Sequence, residues 1–186
     1  MCKYVCLCGN TEPADTTRIT ITFVYLLSKY FNKKTFLNSK KIKNLLNERK
    51  ICKNAVVSDK IEADTEEIFD YVLASRNFEK KLNHIICLVD LNKVTTQREI
   101  NDLINKEKDN DALLSIVLIN YEDKHIKLYA WLTNIYVSFY IFTVSKKEMK
   151  GLKYERVIDN KTPLEMWEAR LSKILNYPCK KIENRS

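Results

Sequence analysis

The sequence predicts an α/β fold: a short mixed sheet flanked by helices, with a small C-terminal α+β lobe. Three observations predict it. Two solidly apolar runs, "HIICLVD" from His84 and "ALLSIVLIN" from Ala112, have the length of buried strands. An amphipathic segment opened by Thr96 and Glu99 lies between them, so the middle of the chain reads helix, strand, helix, strand, the pattern of a covered parallel pair. After Gly151 the texture changes, and a Thr-Pro step opens one last helix. These features divide the 186 residues into an α/β domain over 1–148 and a small lobe over 149–186.

Residues 16–31, "TTRITITFVYLLSKYF", set Ile19, Phe23, Leu27 and Tyr30 on one side at helical spacing, although the early "ITIT" also alternates as a strand would. The next segment, "LNSKKIKNLLNERK", is a short helix that Ser39 can cap, with Ile42, Leu45 and Leu46 on its apolar face. In "ADTEEIFDYVLASRNFEKK" the Asp64–Glu67 spacing is that of a capping box. Ile68, Tyr71, Val72 and Ser75 then share one helical face. The strand at His84 follows, then the helix with Ile100, Leu103 and Ile104, then the strand ending at Asn120. The uncharged stretch 128–145, "LYAWLTNIYVSFYIFTVS", is rich in β-branched and aromatic residues and broken by "LTN". It reads as two buried strands rather than a membrane span. In the lobe, Thr162 as N-cap, Pro163 in the first turn and Glu165 begin a helix whose Leu164, Trp167, Leu171 and Ile174 share a face, and Pro178 stops it.

Composition narrows the function. An apolar fraction of 45% builds a core, which excludes a disordered chain. Only two glycines occur, Gly9 and Gly151, which argues against Gly-rich phosphate loops, dinucleotide fingerprints, kinase loops and nucleophile elbows. Six cysteines without a Cys-x-x-Cys pair point to a reducing compartment, either the cytoplasm or, for a viral protein, the virion. The cluster "CKYVCLC" is read as strand rather than as a zinc site, and no metal or cofactor is expected. The start carries no signal peptide pattern. The net charge is +8, and the span from Lys29 to Lys60 holds ten basic and two acidic side chains. That span is a solvated face or a contact for an acidic surface.

One constellation offers chemistry. Asp90 ends an apolar strand, and Glu122 and Lys124 lie just past the next one. If the sheet brings them together, the acids can hold a divalent metal and the lysine can steady an attacking water, as in a metal-dependent nuclease. His84 and His125 read as packing or surface residues. The aromatics from Tyr129 to Phe142 lack the interleaved lysines of a base-stacking platform.

The order of elements also resembles the jaw-forming subunit shared by eukaryotic RNA polymerases, which has divergent viral versions. The resemblance runs through "TFLNSKKIKNLL", then "IFDYVLASRNFEKKLNHIICLVDLNKVTTQREINDLI" with its Asn-Phe pair, then "LLSIVLIN". It ends in "YERVIDNKTPLEMWEARLSKILNYP", where Thr162-Pro163 stands for the Asp-Pro step of the assembly domain and Trp167 takes the aromatic position. The chain departs from that pattern in lacking the Asn-Ile-Thr-His-His segment and the hairpin glycines. The resemblance implies a non-catalytic subunit of a DNA-dependent RNA polymerase, partnered by the large polymerase chains and by downstream DNA, with no membrane role. Lys29, Lys33, Lys34, Lys40, Lys41 and Lys43 would then face DNA, and Pro163, Leu164, Trp167 and Leu171 would dock on the largest chain. A viral protein-interaction factor is the remaining alternative.

Overall fold

The computed structural model describes residues 1–176 apart from positions 48, 95 and 110; Pro178 and Cys179 lie outside the described residues. Among the described residues seven strands form one sheet: β1 (Lys3–Gly9), β2 (Thr35–Asn38), β3 (Ala55–Ser58), β4 (Tyr71–Leu73), β5 (His84–Asp90), β6 (Leu113–Tyr121) and β7 (Tyr140–Ser145). Their order is β3-β2-β4-β1-β5-β6-β7, and every pairing is parallel. The α/β class and the helices flanking the sheet are those the sequence predicts.

The chain starts in the middle of this sheet and builds outward twice. Helices α1 (Pro13–Tyr25) and α2 (Lys40–Leu46) serve the β2–β3 side, while α4 (Gln97–Glu107) and α5 (Ile126–Ile135) serve the β5–β7 side. Right-handed crossovers that run in opposite directions must cover opposite faces. Accordingly there are two cores. One packs α1, α2 and the C-terminal helices against one face, around Ile19, Phe23, Ile86 and Val117. The other packs α4 and α5 against the reverse face, around Cys6, Ile85, Ile100, Ile116 and Leu132. Strand β5 lies near the centre and is buried at all seven positions, which is why it reads as an unbroken apolar run.

Helix α1 shows how "ITIT" becomes helical. Pro13 sits in its first turn, where the missing N–H costs nothing. The hydroxyls of Thr17, Thr20 and Thr22 donate to the carbonyls four residues back, at 2.7, 2.7 and 2.8 Å, so these threonines can be buried without orphaned polar groups. The helix continues as a π turn over Leu26–Tyr30. The caps read from sequence form as expected in two places. Ser39 accepts from Ile42 N at 3.2 Å, and Thr96 and Glu99 close a reciprocal capping box.

Two element assignments differ. Helix α3 (Thr65–Ile68) is only one turn long, and Asp64 makes no side-chain cap; Tyr71 and Val72 belong instead to β4, held between β1 and β2. The stretch 128–145 is not two strands: α5 occupies its first half and β7 its second. Among the described residues no helix is long and apolar enough to cross a membrane.

Helices α6 (Lys146–Gly151), α7 (Tyr154–Ile158) and α8 (Glu165–Asn176) follow β7. The expected docking face of α8 is already covered by this chain. Leu164, Trp167, Leu171 and Ile174 are buried in the same core as α1, with Trp167 only 3% exposed and its ring edge-on to Phe23 at 6.0 Å. Pro163 is exposed just ahead of α8. Trp167 is therefore an internal strut, and a docking role for Leu164, Trp167 and Leu171 is corrected on that ground.

Candidate ligand crevice at the strand ends

In an open parallel sheet, ligands bind beyond the carboxyl ends of the strands, where neighbouring strands send their chains in opposite directions. Here that place is the end of β1, between β4 and β5. The turn joining β1 to α1 is "GNTEPADT", Gly9 to Thr16. Its spacing is that of a phosphate loop, Gly-x4-Gly-Lys-Ser/Thr, with Gly9 and Thr16 in the outer positions, but Ala14 takes the place of the second glycine and Asp15 that of the lysine. The low glycine count excludes a complete motif; the surviving spacing after a strand and before a helix was the signal available for this location, and it was missed.

The turn is pinned to the sheet rather than open. Gly9 has φ +135°, and a Cβ there would lie 2.0 Å from the Leu88 carbonyl oxygen. Asn10 N donates to Leu88 O at 3.2 Å, and Asn10 Oδ1 accepts from Asp90 N at 2.7 Å. Lys93 pairs with Glu12 at 2.6 Å and Arg18 with Asp15 at 3.1 Å. Burial raises the Asp15 carboxyl above its ordinary range, with Arg18 opposing the shift. A phosphate cradle needs converging backbone N–H groups and a free lysine. This turn offers two carboxylates and, at Pro13, one N–H fewer. The residues present do not fit a nucleoside triphosphate in the phosphate-loop manner.

Two hollows flank the turn. The larger, about 610 Å³, lies over the ends of β1, β2 and β4 and is lined by Thr16, Thr17, Ser39, Lys41, Arg76 and Glu107, among others. Arg76 is held by Glu107 at 3.9 Å and Asp109 at 3.6 Å. The thiol of Cys8 at its floor is pushed up, first by its hydrogen bond with Cys6 and then by burial; burial pushes the Cys87 thiol up to about 12. The smaller hollow, about 370 Å³, is lined by Glu12, Asp15, Asp90, Asn120 and Lys146, among others.

The nuclease constellation is not assembled. Asp90 is buried, accepting from Asn120 Nδ2 at 2.8 Å and from Asn92 N at 3.0 Å. Glu122 and Lys124 pair with each other at 2.8 Å on the surface and do not line the hollow that Asp90 borders. Lys124 holds the Glu122 carboxyl below its usual range. Among the described residues no cluster of three or more His, Cys, Asp or Glu side chains could hold a metal. Acids follow apolar strands wherever a chain leaves a core, and Asp90 is such a case, serving as a framework acceptor.

The six lysines assigned to DNA fall into two groups. Lys29, Lys33 and Lys34 precede β2, and Lys40, Lys41 and Lys43 follow it, with four residues of strand, about 13 Å, between them. Lys43 is paired with Asp59 at 2.6 Å, and Lys41 faces the larger hollow.

No family model matches the chain, and no curated protein matches it in sequence. Solved structures do share its fold. A putative plasmid partition protein from Borrelia burgdorferi, bound to AMPPNP, is 14% identical with a TM-score of 0.58, over 94% of this chain and 98% of that one. A plasmid partition protein from the same organism is 17% identical with a TM-score of 0.51, over 85% and 96%. The MinD cell division protein of Aquifex aeolicus is 14% identical with a TM-score of 0.54, over 93% and 96%. These likenesses overturn the polymerase-jaw resemblance, and with it the transcription role and the large polymerase chains and downstream DNA as partners. That resemblance followed the order of elements along the chain without β4 and without the central placement of β1, which together define this sheet.

Proposed function

We propose that this chain is a positioning protein of the plasmid-partition and MinD structural type that works through partner proteins in the cytoplasm and without nucleoside-triphosphate hydrolysis. The structural likeness supports the type. The observation that carries the rest is the β1–α1 turn, where Ala14 and Asp15 occupy the glycine and lysine positions of a phosphate loop and Glu12 and Asn10 tie the turn to the β5 end. A carboxylate repels the charge that the lysine would neutralise, and no crossover rearrangement is needed to keep the fold without it.

The test is calorimetric titration of the purified protein with magnesium AMPPNP and ATP, run beside counts of replicon loss and septum placement in source cells lacking the gene. No saturable heat up to millimolar nucleotide, together with raised replicon loss or misplaced septa, is expected. Micromolar nucleotide affinity, ATP turnover, or normal segregation and division overturns the proposal.

A further inference from the structure

The far edge of the sheet carries a second surface, remote from the strand-end crevice. Strand β7 is the last in the order, and among the described residues no strand pairs with its outer side. Its residues are half-buried at five of six positions, unlike the buried run of β5. Beside it, a groove of about 570 Å³ runs between β7, the end of α5 and one face of α8. Two stacked aromatic pairs line it: Tyr140 with Phe142 at 5.4 Å, and Tyr136 with Phe139 at 5.6 Å. Val137 and Met166 stand on its rim, 73% and 63% exposed. A sheet edge of this kind presents main-chain groups that a further strand can meet.

Its charge is one-sided. The groove's cations are Arg170 and Lys173, and no acidic side chain lines it among the described residues. Arg170 is built into the wall rather than waving from the surface. It is 9% exposed, lies 5.1 Å from the Trp167 ring centre, and donates through Nη2 to Thr143 O and to Glu148 Oε1, both at 2.9 Å. Its Nη1 is buried with no hydrogen-bond partner among the described residues. An orphaned donor on a buried cation is costly, so the guanidinium brings to the groove wall positive charge that Glu148 only partly answers.

We propose that this groove docks an extended, acidic and apolar segment of a partner protein, which adds to β7 as an outer strand and sets a carboxylate against Arg170 and Lys173. The inference rests on the reading of the chain as a partner-binding protein and names the chemistry of the partner. Edge pairing supplies affinity through main-chain hydrogen bonds, and alternate side chains enter the aromatic floor. A second copy of this chain is a poor occupant, because it carries a net charge of +8 and would bring the same cationic groove against itself.

The probe is a fluorescein-labelled hexapeptide of alternating valine and glutamate, matched to the six residues of β7, with a valine–lysine peptide as control. Fluorescence anisotropy with the full chain should saturate for the first peptide and not for the second. Lys173→Glu, an exposed change that leaves the core intact, should weaken binding about tenfold. Amide hydrogen exchange should slow along Tyr140–Ser145 when the glutamate peptide is bound. Equal binding of both peptides, no binding, or protection confined to other strands overturns the proposal. So does a concentration-dependent dimer that Lys173→Glu dissolves while neither peptide binds. Peptide failure alongside a segregation defect sinks the groove alone; peptide binding by a protein that also turns over ATP sinks the proposed function alone.

Discussion

Asn120 donates its side-chain amide to Asp90 at 2.8 Å, joining the ends of β6 and β5. Asn120 holds φ +59°, a left-handed conformation that asparagine tolerates better than most residues, so the backbone and the side chain are matched at one position. The pair is buried, and the Asn92 N–H completes it. Asp90→Ala removes the acceptor and leaves the buried Asn120 amide, and the Asn92 N–H beside it, without a partner. The expected loss is about 1–3 kcal/mol in urea unfolding. Asp90→Asn keeps the volume and one acceptor and should lose less. Equal stability of the Asp90→Ala and wild-type proteins would show that the contact contributes nothing.

Trp167 packs edge-on to Phe23 and carries the Arg170 guanidinium over its ring. Trp167→Ala should therefore act through the core, costing about 3–5 kcal/mol and lowering the melting temperature. Unaltered thermal unfolding of Trp167→Ala would show that the Phe23 contact contributes nothing to the core.

The strongest elements were legible because their signals are local. An unbroken apolar run named β5 and β6, and the Thr96–Glu99 and Ser39 caps named the starts of α4 and α2. Tyr71–Leu73 failed because three residues carry no period of their own, and Ile68, Tyr71, Val72 and Ser75 imitate a helical face; β1 and β2 make that segment a strand. The first half of 128–145 failed through composition, since aromatic and β-branched residues favour strands yet form α5, with Leu132 buried. Strand order was beyond reach, because no local feature tells β1 that β4 will return beside it. The crevice was half legible: the scarcity of glycine spoke against a phosphate cradle, but the Gly9–Thr16 spacing that marks its place was passed over. The pairing of Glu122 with Lys124, outside the hollow that Asp90 borders, is set by a short turn whose geometry the residues alone do not disclose.

His84 supplies a pH dependence whose sign is fixed by burial. Burial, with a smaller contribution from Lys3, lowers its pKa from an ordinary 6.5 to about 4, and its Nε2 sits 2.9 Å from Ser115 Oγ. The unfolded chain takes up a proton as the pH falls through 6.5, while the folded chain does so only near 4. The stabilisation is therefore complete above pH 6.5 and is lost as the pH falls from there towards 4, by about 3 kcal/mol in all. Urea midpoints measured between pH 7 and pH 5 should fall for the wild type and fall much less for His84→Gln. Parallel midpoint curves for the two proteins would remove His84 as the cause.

Gly9 tests whether the β1–α1 turn is as tightly set as its contacts imply. At φ +135° an L side chain is strained, and the added Cβ would meet the Leu88 carbonyl, a backbone atom that cannot rotate aside. Backbone strain of about 1–3 kcal/mol and overpacking of similar size both oppose Gly9→Ala, so a loss of at least ~2 kcal/mol is expected. Gly151→Ala is the internal control, because a Cβ there meets nothing within 4 Å and the residue ends α6. Since Asn10 and Gly9 both contact Leu88, the Gly9 substitution should also release the turn, and hydrogen exchange should quicken at Asn10 and Asp90 relative to the β6 amides. A Gly9→Ala protein as stable as Gly151→Ala, with unchanged exchange at those two amides, would mean that the turn is free to move away from β5, and the argument that it is closed to phosphate would fall with it.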